Sequence, residues 1–101
     1  MSSISYKNNK IKARETAELM KLLSSGPRLQ IMSLLIGKKE GLCVYELAKA
    51  IGLSHSATSH QLSKLEDRGI VECVRVGQTM CYSLSRSRSA KVLTCVLDNL
   101  I

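Results

Sequence analysis

Tryptophan and phenylalanine are absent from this chain, proline occurs once, and the only rings besides two histidines are Tyr6, Tyr45 and Tyr82. Any core must therefore be built from Leu, Ile, Val, Ala and Met, a thin aliphatic filling common in small helical domains. No apolar run approaches the ~18 residues of a membrane-spanning helix. The stretch from Met1 to Lys12 is polar and basic and lacks the apolar centre of a secretory signal, so a cytoplasmic protein with no membrane partner is expected. There is no Cys-x-x-Cys pair; Cys43, Cys73, Cys81 and Cys95 are widely spaced, and in a reducing compartment free thiols are the expectation. Also missing are a glycine-rich phosphate loop, a carboxylate pair in an apolar setting, and a Cys-His-Asp set on a scaffold with room for a pocket, so no enzyme is indicated. Acidic residues are in deficit: 8 against 15 Lys and Arg, a net charge of +7 and a pI near 9.5. A basic domain of this size points to a polyanion as partner.

What is present is enough for one domain: 101 residues, 45% of them hydrophobic. Residues 1–9 (MSSISYKNN) read as a flexible arm and residues 10–101 as the folded unit. From about Lys10 to Leu23 the spacing of Ile11, Leu19, Met20, Leu22 and Leu23 is helical. Ser24-Ser25-Gly26-Pro27 breaks it, and Pro27 suits the first turn of a second helix capped by Ser25 or Gly26. Leu29, Met32, Leu35 and Ile36 form that helix's buried stripe, and Gly37 to Gly41 is a polar turn. A short helix follows over about Val44 to Ile51, with Gly52 placed for a left-handed cap. Ser54 then caps a helix from about His55 to Asp67. Ile70 to Val76 and Met80 to Leu84 are β-rich runs flanking Gly77-Gln78, a pair that suits a type II′ hairpin turn. A last helix spans about Ser87 to Leu100. The fold class is mainly α with a small β-hairpin wing, in the order α-α-α-α-β-β-α of a winged helix-turn-helix domain.

Within Val44 to Gly69 two short helices are joined by Gly52-Leu53-Ser54, a turn of helix-turn-helix size. On the second helix Thr58, Leu62 and Leu65 can face the core, while Ser56, Ser59, His60 and Ser63 form a second, outward stripe with His55 at its N-terminal end. That stripe carries no carboxylate; Glu66 and Asp67 come only at the far end. Short hydroxyls and imidazoles on such a helix can reach phosphates and base edges in a major groove, and its N-terminus favours a phosphate. Arg75, Gly77 and Gln78 lie near the wing tip, where a guanidinium and an amide can grip a backbone or a minor groove. The last helix, with Val92, Leu93, Val96, Leu97 and Leu100, has more apolar surface than a lone domain of this size covers.

LSHSATSHQLSKLEDRGIVE, RVGQTMCYSLS, PRLQIMSLL and GLCVYELA together resemble the ArsR/SmtB family of bacterial metal- and stress-responsive repressors, from about Leu22 to Ala90. The resemblance implies a repressor that binds an inverted-repeat operator in double-stranded DNA as a homodimer, with the first and last helices building the interface. On that basis Leu19, Leu23, Val92, Leu93, Val96, Leu97 and Leu100 are interface candidates. Ser54, His55, Ser56, Ser59, His60 and Gln61 match the family's recognition-helix positions, and Arg75 and Gln78 its wing. The alternative is a constitutive or architectural DNA-binding protein without an inducer site.

The family's ligand sites are not reproduced. Where one type has Cys-Val-Cys, this chain has Cys43-Val44-Tyr45, and one thiol cannot make a soft-metal site. Where another type binds zinc on the last helix, Arg86, Arg88 and Asn99 occupy the corresponding positions; no zinc site is expected there and no cofactor is assigned. The dithiol positions of a third type fall at Ser33 and near Ile101. The remaining thiol-sensing candidates are Cys43, at a helix N-terminus that can raise its reactivity, and Cys95, which the apolar pattern of the last helix marks as a small buried residue. With Gly77-Gln78 as the turn, Val74 opposes Cys81 and Cys73 opposes Tyr82, so Cys73 and Cys81 point to opposite faces and a disulfide between them is not expected.

Overall fold

The computed structural model describes residues 6–100, with side chains from residue 12 onward. Five helices and a three-stranded antiparallel sheet follow in the order α1 (Tyr6–Leu22), α2 (Gly26–Ile36), β1 (Leu42–Cys43), α3 (Val44–Ile51), α4 (His55–Asp67), β2 (Val71–Val76), β3 (Thr79–Leu84) and α5 (Arg88–Leu100). Residues 1–5 lie outside the described residues, and α1 already begins at Tyr6, within the stretch expected as a flexible arm. The apolar spacing that marks a helix starts only at Ile11, which is why the polar first turn gave no signal.

The local stop and start signals act as the sequence suggests. Ser25 caps α2, its hydroxyl accepting the Arg28 N–H at 3.5 Å, with Pro27 in the first turn. Gly52 closes α3 in the left-handed region, φ 73°, where a side chain would be strained. Ser87 caps α5, accepting the Ala90 N–H at 3.1 Å, and its hydroxyl also donates to the Gly69 carbonyl at 2.8 Å, fastening α5 to the turn before β2.

The core lies where α2, α3, α4 and α5 meet the inner face of the sheet. Ile31, Met32, Leu35, Leu47, Leu62, Leu65, Ile70, Leu93 and Leu97 are all fully buried there. The stripe expected on α2 is rotated by one position: Ile31 is in the core and Leu29 is exposed. Among the described residues every buried side-chain nitrogen and oxygen has a hydrogen-bond partner. No described helix is long and apolar enough to cross a membrane.

The sheet order is β1-β3-β2. The hairpin register is the expected one: Val76 pairs with Thr79, Val74 with Cys81 and Cys73 with Tyr82. Gly77 has φ 66°, and among the described residues no non-glycine has positive φ, so Gln78 does not; one positive φ, at the first central position, is the type II′ pattern. Strand β1 was not anticipated, because two residues are too few to show a period of two. It pairs Leu42 with Tyr82 and Cys43 with Cys81.

Candidate nucleic-acid interface

Helix α4 is presented by its caps and by its apolar back. The Gly52 and Leu53 N–H groups both donate to the Ala48 carbonyl, at 2.9 and 3.1 Å, and turn the chain sharply out of α3. The Ser54 hydroxyl accepts the Ala57 N–H at 3.1 Å, so Ser54 acts first as a cap. Thr58, Leu62 and Leu65 are buried, and the Thr58 hydroxyl donates to the Ser54 carbonyl at 2.8 Å, which satisfies the one buried polar side chain of the described core. With that stripe turned inward, His55, Ser56, His60 and Ser63 are exposed and Ser59 is half-buried. Five of the residues expected to contact DNA from this helix are therefore available at its outer face or its N-terminal end: Ser54, His55, Ser56, Ser59 and His60.

Gln61 differs. It is half-buried, and its Oε1 accepts from the Arg28 Nη1 at 2.9 Å, while the Arg28 Nε donates to the Leu22 carbonyl at 2.6 Å. This placement has a simple cause: α4 has about 3.6 residues per turn, and position 61 falls at the edge facing α2. Arg28 was not singled out in the sequence, since only the packing of α2 against α4 shows that its guanidinium joins the ends of α1 and α2 to the outward helix. Tyr45, 61% exposed, and Lys49 are also exposed on α3 beside this surface, and no spacing rule marked them.

In the wing, Arg75 and Gln78 are exposed, Arg75 pairing across the ladder with Met80 and Gln78 sitting in the turn. Val74 and Val76 on β2 are 54% and 61% exposed, so the wing carries apolar as well as cationic surface. Its inner side is anchored by Tyr82, which is buried. Burial first, then the neighbouring Cys73 thiol and the Glu66 carboxylate, push the Tyr82 phenol up to about 12, so it keeps its proton throughout the physiological range.

The cysteines depart from expectation. Cys43 and Cys81 are joined in a disulfide, so Cys43 is not the free thiol assumed above. Their Cα atoms are 3.8 Å apart, closer than the ~4.4–6.8 Å usual for bridged cysteines, and the two residues sit directly opposite each other in the β1–β3 ladder. Gly41 makes this approach possible: its φ is 93°, and a β-carbon there would lie 2.6 Å from the Tyr82 carbonyl oxygen. Cys73 is half-buried and free. Cys95 is free and exposed rather than buried, because the inward stripe of α5 runs through Ala90, Leu93 and Leu97 and leaves Cys95 off it.

The same stripe corrects the interface set. Leu93 and Leu97 are buried within the chain itself and cannot face a partner, while Leu19 is largely buried and shows only an edge to the groove beside α1. Leu23, Val92 and Val96 are half-buried, and Leu100 is 76% exposed. Between α1 and the start of α5 lies an open groove of about 630 Å³, bordered by Glu15, Leu19, Arg68 and Val92 among others. Arg86, Arg88 and Asn99 are exposed, the Asn99 amide donating to the Cys95 carbonyl at 2.8 Å, and among the described residues no three His, Cys, Asp or Glu side chains converge.

A tight helix-turn-helix, an outward polar helix and a β-hairpin wing beside it define a winged helix-turn-helix domain. The comparisons with known proteins narrow the class. Residues 25–72 match the model of the bacterial regulatory protein arsR family. The chain is 38% identical over 88 residues to a transcriptional repressor SmtB homolog of Synechocystis sp., covering 87% of this chain and 65% of that protein's length. It is 33% identical over 87 residues to the HTH-type transcriptional regulator YgaV of Escherichia coli, covering 86% of each. Among solved structures, the transcriptional repressor BigR from Xylella fastidiosa superposes with a TM-score of 0.84 at 30% identity, over 96% of this chain and 93% of that one. The chain belongs to the arsR family of bacterial regulatory proteins, a family of regulators rather than enzymes.

Proposed function

We propose that the protein is a sequence-specific transcriptional repressor that acts in the cytoplasm and binds an inverted-repeat operator in double-stranded DNA as a homodimer. The observation that carries this reading is the outer face of α4: His55, Ser56, Ser59, His60 and Ser63 form a surface free of carboxylates, capped and backed rigidly, on a chain of net charge +7. Arg75 and Gln78 on the exposed wing supply a second, flanking contact. One such helix covers a half-site, so an operator with dyad symmetry calls for two copies. The exposed edge of α5 at Val92, Val96 and Leu100, with the groove beside α1, is the surface proposed to pair them.

The test is equilibrium binding to duplexes selected from a random pool, against unselected duplex, across a salt series. Each phosphate contact contributes roughly −0.9 to the slope of log K against log salt, and a dimer slope on the order of −5 or steeper is expected. The selected site should be preferred by about 10³ or more. His60→Ala should lower discrimination at particular base pairs by about 1–3 kcal/mol, while Arg75→Ala weakens binding to all sequences evenly. Equal affinity for selected and random duplex would overturn the repressor reading in favour of a constitutive architectural protein.

A further inference from the structure

We infer that Cys43 and Cys81 form a reversible thiol–disulfide site, oxidised by hydroperoxides and reduced by dithiols, that sets how the wing is held against the DNA-facing helices. The regulatory half of this inference rests on the DNA-binding reading above; the chemical half does not.

The bond joins β1 to β3 where the chain enters α3, beside the core packing of Val44 and Tyr82, the chain neighbours of the two cysteines. Strand β1 contributes only Leu42 and Cys43 to the sheet, and Cys43↔Cys81 is one of its two pairings. It also lies off the core. Cys81 is cross-strand to Val74, which is 54% exposed, whereas its chain neighbour Tyr82 points inward. The core leucines and isoleucines are fully buried without contribution from either sulfur. Both cysteines are only half-buried, so small oxidants and reductants can reach them. Exposed disulfides off the core are those that cellular dithiols can exchange with, in contrast to the buried bonds that staple secreted domains.

Its position in the chain gives the bond a regulatory meaning. The two cysteines are 38 residues apart, and between them lie α3, α4, β2 and the wing turn. Every side chain proposed above to touch DNA, from Ser54 to Gln78, is inside the loop that the bond closes. Helix α3 is intact with the bond formed: the Glu46 Oε1 accepts the Cys43 N–H at 2.9 Å and the helix runs from Val44. The bond acts on the wing, fixing β3 to the start of α3 when oxidised and leaving that junction to the β1–β3 pairing and the packing of Val44 and Tyr82 when reduced.

The oxidation balances with a hydroperoxide as the two-electron acceptor. The Cys43 thiolate attacks the peroxide; an S–O bond forms, the O–O bond breaks, and the departing oxygen leaves as an alcohol or water after taking a proton. The Cys81 sulfur then attacks the Cys43 sulfenic acid; the S–S bond forms, the S–O bond breaks, and the hydroxyl leaves as water with the Cys81 proton. A dithiol reverses this by two exchanges and becomes a disulfide itself.

The experiment uses the full chain and counts thiols by iodoacetamide labelling and mass spectrometry. After dithiothreitol all four cysteines should label. After equimolar hydrogen peroxide Cys43 and Cys81 should be protected and linked, Cys73 and Cys95 should still label, and dithiothreitol should restore all four. A Cys73→Ser/Cys95→Ser variant should behave the same; Cys81→Ala should abolish the link, leaving peroxide-treated Cys43 as an oxygen adduct without a disulfide partner in the mass spectrum. Labelling of Cys43 and Cys81 that peroxide leaves unchanged, or a bond that excess dithiothreitol leaves unreduced in the folded protein, would overturn the site. Affinity for the selected duplex should differ at least tenfold between the two redox forms of the wild type and not change with redox in Cys81→Ala, with circular dichroism confirming that the variant folds. A difference within twofold would overturn the regulatory half. If neither form distinguishes the selected duplex from random DNA, it is the repressor reading that falls, and the thiol count still decides the site.

Discussion

Helices α4 and α5 are built alike on the inside and differently on the outside. Each has 13 residues, and each buries three side chains against the same core: Thr58, Leu62 and Leu65 on one, Ala90, Leu93 and Leu97 on the other. Their outer faces differ in what dominates them. Helix α4 presents histidines, serines and Lys64, while α5 presents Val92, Cys95, Val96 and Leu100 alongside Lys91 and Asp98. The inner stripe of a helix decides where it sits; its outer stripe decides what it meets. Here the first suits a hydrated polyanion and the second an apolar surface on another protein molecule.

Three sets of substitutions sharpen this contrast. The largest effect should come from the shared inner stripe: Leu62→Ala and Leu93→Ala should each destabilise the fold by about 2–5 kcal/mol, because each empties a fully buried position. Chemical denaturation of the two variants checks this, and a cost for one of less than about 1 kcal/mol would break the equivalence of the two helices. The outer face of α5 should respond differently. Val96→Glu with Leu100→Glu should leave the protomer folded but separate the dimer, lowering operator affinity by on the order of 100-fold through loss of two-site binding. Sedimentation and binding report this together; a charge at Leu97 would instead unfold the chain, since Leu97 is buried. The smallest effect lies behind α4, at Tyr82. Its phenol is raised from 10 to about 12 by burial, the Cys73 thiol and Glu66. The folded state thus holds this proton more tightly than the unfolded state does. The contribution is intact below pH 10 and is lost as pH rises toward 12. Wild type should therefore lose stability relative to Tyr82→Phe over that window, and a difference between the two that does not change with pH would refute the assignment.

Much of the fold could be read from the chain because its punctuation is local. Pro27, Gly52, Ser54 and Gly77 each dictate a backbone state within three or four residues, and the hairpin register follows from its turn. The outward stripe of α4 was legible for the same reason: a period of 3.6 needs only the one helix. The losses all come from contacts between segments distant in sequence. Gln61 is redirected by Arg28, and Leu93 and Leu97 are claimed by the chain's own core rather than by a partner. Strand β1 is too short to carry a pattern. The Cys43–Cys81 bond spans 38 residues, and nothing in the spacing of four cysteines identifies which two of them meet.

Gly41 gives the last of these a chemical consequence. A β-carbon at Gly41 would lie 2.6 Å from the Tyr82 carbonyl oxygen, so the chain can pass this close to β3 only where there is no side chain. That passage brings one sulfur to the other, and so sets the effective molarity of Cys81 as seen by Cys43. A residue with no functional group therefore governs both the rate and the equilibrium of ring closure. Adding a single methyl at position 41 dilutes each thiol with respect to the other without altering the intrinsic chemistry of either.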